Sequence, residues 1–211
     1  MKRPLRVAVI GAGSMGRNHA RVYNELEGVE LVGVADPHLA AARSVARRYK
    51  VSYYDQYDDM LDEAEPDLLS VATPTSTHRN IALACMQRGV HVLVEKPIAA
   101  TVAEGEELVA AADQHGVLLT VGHIERFNPA VRALRARLDT GALGKVFQIT
   151  ARRLGPFPPR ITDVGVVVDL ATHDLDIMRF LLGDDVERVQ AVVTQRLHAA
   201  HEDMVTALLH F

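Results

Sequence analysis

Two short segments, far apart in the chain, carry residues able to do chemistry together. Residues 7–16 read VAVIGAGSMG, an apolar run leading into Gly11-x-Gly13-x-x-Gly16. Residues 92–97 read VLVEKP, a second apolar run ending in a lysine followed by proline. The first has the context of a dinucleotide fingerprint, because it follows a strand and opens a helix. Gly11 allows the tight turn, Gly13 lets backbone approach a pyrophosphate, and Gly16 permits close packing of helix on strand. Ser14 and Met15 fall in the first helical turn, where N–H groups and the positive dipole end favour a phosphate. Asp36 stands at the end of the next strand, where a carboxylate can accept both ribose hydroxyls. It favours NAD over NADP, whose 2′-phosphate it would repel.

Glu95-Lys96-Pro97 closes the fifth strand, where Glu95 and Lys96 are expected to border the cofactor, and a lysine there would point into the crevice at the carboxyl edge of the sheet. Its ammonium can bind a substrate hydroxyl and stabilise a developing alkoxide. Thr73-Pro74-Thr75 follows the fourth strand and would line the cofactor cleft. His78 is either beside the nicotinamide ribose or an ordinary first-turn histidine. Asp169 and His173 lie four apart on a helix and share a face, with Asp176 near the same stripe. A carboxylate beside an imidazole raises its basicity and orients it, as a general base requires. One histidine among carboxylates is a weak zinc signal, and no metal is expected. Arg126, in the stretch HIERFNP with Asn128, either clamps an anionic substrate group or pairs with a local acid. Arg152, Arg153 and Arg160, around a Pro/Gly loop, are phosphate partners or paired surface arginines. The remaining histidines, His19 among them, form no constellation. Cys85 sits mid-helix as a small core residue.

The elements that must position these groups alternate through the first half. Strands are predicted over 5–10, 30–35, 51–54, 67–72, 90–94 and 117–121. Helices are predicted over 14–26, 39–49, 56–63, 77–88 and 101–115, the last opened by a capping box of Thr101 and Glu104. Strands alternating with helices imply a doubly wound parallel sheet. From residue 123 the pattern changes. Helices are predicted over 128–138 and 169–182, and period-two strands over 145–153, 189–193 and 205–211. The expected class is α/β, with a Rossmann domain over 1–122. A partial α+β domain with an open, mostly antiparallel sheet follows over 123–211.

The 211 residues carry a net charge of −4 with both signs interspersed, which speaks against a nucleic-acid stripe. No apolar run reaches the roughly 20 residues of a membrane span. The lone Cys85 cannot form an internal disulfide, and a cytoplasmic protein is expected. The short second sheet exposes backbone edges and an apolar face, so a homo-oligomer through that sheet is expected.

The strand-linked glycine motif, Glu95-Lys96-Pro97 and Asp169-x-x-x-His173, in this order and spacing, resemble the Gfo/Idh/MocA oxidoreductases over essentially the whole chain. The resemblance implies an active site between a Rossmann domain and an open-sheet domain. It also implies NAD(P)-dependent redox chemistry on a sugar, inositol or related compound, with Lys96, Asp169 and His173 as the catalytic group. Either Lys96 or His173 could be the base. The stretches 122–131 and 153–176 resemble nucleotide-sugar members, the UDP-N-acetylglucosamine 3-dehydrogenases among them. That likeness implies hydride transfer from C3 of a nucleotide sugar. An inositol or aldose substrate is the alternative, as is a non-catalytic NAD-binding regulator. Relatives usually run well past residue 211.

Overall fold

A computed structural model describes residues 3–155 and 164–211. The chain divides into two compact units, Met1–Gly122 and His123–Phe211. In the first, strands β1 (Leu5–Ile10), β2 (Val29–Ala35), β3 (Ser52–Tyr54), β4 (Leu68–Val71), β5 (His91–Val94) and β6 (Leu119–Val121) form one parallel sheet. Its order is β3-β2-β1-β4-β5-β6, so the chain reverses its direction of winding between β1 and β4. Ligands of such sheets bind at the carboxyl ends of the strands beside that reversal.

Helices α1 (Ser14–Glu25), α2 (Leu39–Tyr49), α3 (Tyr57–Ala64), α4 (Thr75–Gln87) and α5 (Val102–His115) connect the strands. Two apolar clusters form the core. One joins Val7, Val9 and Val34 to Ala20, Ala42 and Val45 of α1 and α2. The other joins Ala8, Ile10, Leu69 and Val92 to Met60, Ala82, Met86 and Leu108 of α3, α4 and α5. Central strand β1 contributes Val7 and Val9 to one cluster and Ala8 and Ile10 to the other, which explains its unbroken apolar run. Helix α5 starts with the expected capping box between Thr101 and Glu104 and ends on Gly116 in the left-handed region.

The second unit contains α6 (Pro129–Asp139), α7 (Thr172–Leu182) and an antiparallel pair, β7 (Arg188–Thr194) with β8 (Met204–His210). The predicted faces meet in register: Val189 opposite Leu209, Ala191 opposite Ala207, Val193 opposite Val205. Two expectations are corrected. Residues 145–153 alternate in hydropathy but form no strand, and Phe147 is 88% exposed. A period-two pattern prepares a segment to pair, but a strand exists only with a hydrogen-bonded neighbour, and none pairs there among the described residues. The helix predicted from Asp169 is also not uniform. Val167–Ala171 is a π-helical turn and α7 begins only at Thr172, so Asp169 and His173 do not share a regular α-helix. The first turn of this segment is anchored by Glu202, whose Oε1 accepts from Val167 N–H at 3.2 Å while its carbonyl accepts from Val166 N–H at 2.9 Å. The Glu202 carboxylate occupies the space that a Cβ on Gly165 would need.

Candidate functional site

The glycine turn lies at the carboxyl end of β1. Gly11 adopts φ +97°, and a Cβ there would collide with the Ala72 carbonyl. A Cβ on Gly16 would collide with the carbonyl of Gly11, so α1 packs on its own entry turn only without a side chain at that position. Gly13, the residue that caps α1, meets nothing within 4 Å of its added Cβ. Gly13, Ser14 and Met15 form an exposed rim. The turn is therefore closed from below at Gly11 and Gly16 and open to a ligand at Gly13.

Asp36 follows β2 and spans two backbone donors. Its Oδ2 accepts from Ala12 N–H at 2.7 Å and its Oδ1 from His38 N–H at 2.8 Å. Each oxygen keeps a second lone pair for ribose hydroxyls. The same carboxylate thus holds the glycine turn. An open Gly13, a helix N-terminus and a fixed carboxylate fit a dinucleotide.

After β4, the Thr77 hydroxyl lies 2.8 Å from both Thr73 Oγ1 and the Pro74 carbonyl, fixing the turn into α4, whose first residue Thr75 is buried. Of the two roles the sequence leaves open for His78, the structure has the first-turn histidine of α4. It is 1% exposed, with Nδ1 2.9 Å from the Pro97 carbonyl and Nε2 3.0 Å from the Thr73 carbonyl. The ring is buried with both nitrogens facing backbone carbonyls, of which a neutral imidazole donates to one, so His78 underlies the cleft edge.

Glu95 is also an internal group. It is 7% exposed, and its Oε1 lies 2.8 Å from His19 Nε2. His19 Nδ1 lies 2.9 Å from Ser70 Oγ, which Tyr23 OH approaches at 2.5 Å. Burial alone would push the Glu95 carboxyl up. Hydrogen bonds from His19 and the Lys96 backbone N–H, with both positive charges, outweigh it and hold the group below the usual range. Burial raises the Tyr23 phenol, offset in part by its Ser70 hydrogen bond. Lys96 is half-buried, and its bond to Pro97 is cis. The His19–Tyr23 pair went unnoticed in the sequence, although Gly16, Ala20 and Tyr23 mark the buried face of α1 at helical spacing.

In the second unit, Asp169 and His173 are half-buried in the π turn and at the start of α7. Three expected substrate contacts are engaged locally. Arg126 Nε and Nη2 donate to the buried Asp176 carboxylate at 2.6–3.0 Å, and His123 Nδ1 lies 3.7 Å from the same group. Arg153 donates to both oxygens of Asp174 at 3.0 and 3.1 Å. Each aspartate raises its partner arginine further above the ordinary value, through the hydrogen bond first. Asn128 is the N-cap of α6: its Oδ1 accepts from Ala130 N–H and its Nδ2 donates to Glu125. A short polar side chain at a helix start is used by the backbone first. Arg152 is exposed, and Arg160 lies outside the described residues. Cys85 is buried and its thiol is pushed up to about 12 by desolvation, which makes it inert.

Comparison with known proteins adds the kinship. The profile of an oxidoreductase family with an NAD-binding Rossmann fold, GFO/IDH/MocA, matches residues 5–123, and that of the family's C-terminal domain matches 131–211. The UDP-N-acetylglucosamine 3-dehydrogenase of Acidithiobacillus ferrooxidans is 38% identical over 188 residues, 89% of this chain and 58% of its own. The scyllo-inositol 2-dehydrogenase (NAD(+)) of Bacillus subtilis is 32% identical, over 90% of this chain and 57% of its own. The structure of the WlbA dehydrogenase from Bordetella pertussis, in complex with NADH and UDP-GlcNAcA, superposes with a TM-score of 0.91. It is 26% identical, over 98% of this chain and 67% of its own. The chain thus spans under three fifths of the length of these curated relatives. With both profiles matched in chain order and the glycine turn shaped for a dinucleotide, this chain belongs to the Gfo/Idh/MocA family of oxidoreductases.

Proposed function

We propose that the protein is an NAD-dependent dehydrogenase that oxidises a secondary hydroxyl of a sugar, C3 of a nucleotide sugar such as UDP-N-acetylglucosamine. The observation that carries the redox reading is the glycine turn: closed beneath Gly11 and Gly16, open at Gly13, and held by the Asp36 carboxylate. The 38% identity to a UDP-N-acetylglucosamine 3-dehydrogenase supports the substrate. NAD, when bound, supplies a hydride acceptor at C4 of its nicotinamide.

The chain's own residues do the rest. Gly13 to Met15 offer backbone N–H groups to the pyrophosphate, and Asp36 accepts from the adenosine ribose. Lys96 binds the substrate oxygen and stabilises the charge that develops as its proton leaves. His173, oriented by Asp169, takes that proton. Copies associate through the β7–β8 sheet, whose Val189 and Val193 are more than half exposed.

Mixing the protein with NAD and UDP-N-acetylglucosamine should produce NADH, followed by absorbance. Lys96→Ala and His173→Ala should each lower kcat by about 10²–10⁴-fold. Wild-type turnover in both variants would end this mechanism. An inositol dehydrogenase is the second reading, favoured by the 32% identity to the Bacillus subtilis enzyme. Binding of UDP alone, measured by calorimetry, supports the nucleotide sugar. Turnover of scyllo-inositol without UDP binding supports the alternative, and NAD binding without turnover of either points to a regulatory module.

A further inference from the structure

Lys96 sits between two residues that each meet a histidine largely withdrawn from solvent. On one side, Glu95 receives His19 from α1, and His19 is braced through Ser70 of β4 and Tyr23. The Glu95 carboxylate also gathers the Lys96 backbone N–H. It lies tight against the end of β6, where a Cβ on Gly122 would come within 3.0 Å of Glu95 Oε1. On the other side, the Pro97 carbonyl meets His78 from α4, whose second nitrogen reaches back to the Thr73 carbonyl.

We propose that His19 and His78 are positioning residues which fix the Lys96 backbone from opposite sides, and that Glu95 transmits the hold of His19. The inference rests on the reading of Lys96 as the group that binds the substrate oxygen. Four observations support it. Both histidines are largely withdrawn from solvent, with the His19 side chain 13% exposed and the whole of His78 1% exposed. Each of the four ring nitrogens lies within 3.0 Å of a polar partner, and with its proton on Nδ1 a neutral His78 donates to the Pro97 carbonyl. The two rings come from different helices, His19 from α1 and His78 from α4. Ser70 and Thr73 tie both to the end of β4, next to the point where the sheet reverses its winding. A lysine carries four rotatable side-chain bonds, so its ammonium is placed only as well as its backbone is held. Displacement of a reacting group by about 1 Å can cost on the order of 10² in rate.

The test uses the full chain without cofactor first. His19→Leu keeps the apolar volume and removes both hydrogen bonds, whereas His19→Gln can still reach Glu95 with its amide. Amide exchange by NMR should accelerate at Lys96 by about tenfold or more in His19→Leu and in His78→Leu, while Val92 and Val94 stay within about twofold of wild type. His19→Gln should restore the Lys96 rate to within about threefold. With NAD and UDP-N-acetylglucosamine, both Leu variants should lose about tenfold to hundredfold in kcat, with the KM for NAD within about twofold. Wild-type exchange at Lys96 in both Leu variants overturns the proposal, and so does equal acceleration at Val92 and Val94. If His19→Leu does not fold, His78→Leu carries the same exchange test. Lys96→Met separates the two readings. Wild-type turnover in Lys96→Met removes the catalytic role of the lysine, while the exchange rates still decide whether the histidines hold its backbone.

Discussion

At the scale of single residues, one glycine motif divides into separate physical tasks. Gly11 and Gly16 are required by the fold, since a Cβ at either would strike backbone. Gly13 faces open space and is required only by a ligand. Gly13→Ala should therefore leave the thermal midpoint near wild type and weaken NAD binding by about tenfold, or 1.4 kcal/mol, in calorimetry. Gly16→Ala should lower the midpoint itself. A normal NAD affinity in Gly13→Ala would contradict this division. Glu95 gives a pH signature. Its carboxyl is held below the ordinary value in the folded chain. It therefore contributes stability above the unfolded pKa, and that contribution is lost as pH falls through the folded value. The stability of wild type relative to Glu95→Gln should be constant at neutral pH and decline below about pH 4.3. Denaturant midpoints across pH 3–7 would show a constant difference if the carboxylate were unperturbed. The glycines and Asp36 were legible because their spacing is local. His19 was not, because its partners Ser70 and Glu95 lie 51 and 76 residues away.

At the scale of elements, caps and periodicity were readable and pairing partners were not. Thr101 and Glu104 form the capping box their spacing announced, because both bonds close within one helical turn. Thr101→Ala should destabilise the first unit by about 1 kcal/mol, seen as a lower thermal midpoint, with NAD affinity unchanged. Residues 145–153 carry the same alternation as β7 and β8 yet form no strand, because the alternation describes faces and names no neighbour. The π turn at Val167–Ala171 was equally hidden. It depends on Glu202 reaching the first turn from 35 residues away. For Arg126 and Arg153 the sequence left a substrate contact and a local pairing equally open. Their partners Asp176 and Asp174, and for Asn128 the start of α6, turned all three into local structure.

At the scale of the whole molecule, the β7–β8 sheet pairs Val189, Ala191 and Val193 with Leu209, Ala207 and Val205 on one face, and that face stays partly exposed. If copies associate there, Val193→Glu should shift the species seen by light scattering toward a smaller mass, with the secondary structure content retained. An unchanged mass would remove this sheet from the interface. The strand order and its reversal between β1 and β4 came from the tertiary structure, while the doubly wound parallel sheet and the dinucleotide turn followed from the alternation of strands and helices with one glycine motif. These depend on patterns a few residues long, and steric limits on connection and handedness leave few ways to assemble them. Which polar groups face a ligand and which are spent on the fold followed from no such pattern. His78 and Glu95 resembled cofactor contacts in the chain and became buried supports in the fold. A polar side chain taken out of water must find its partners wherever folding brings them, at any distance along the chain.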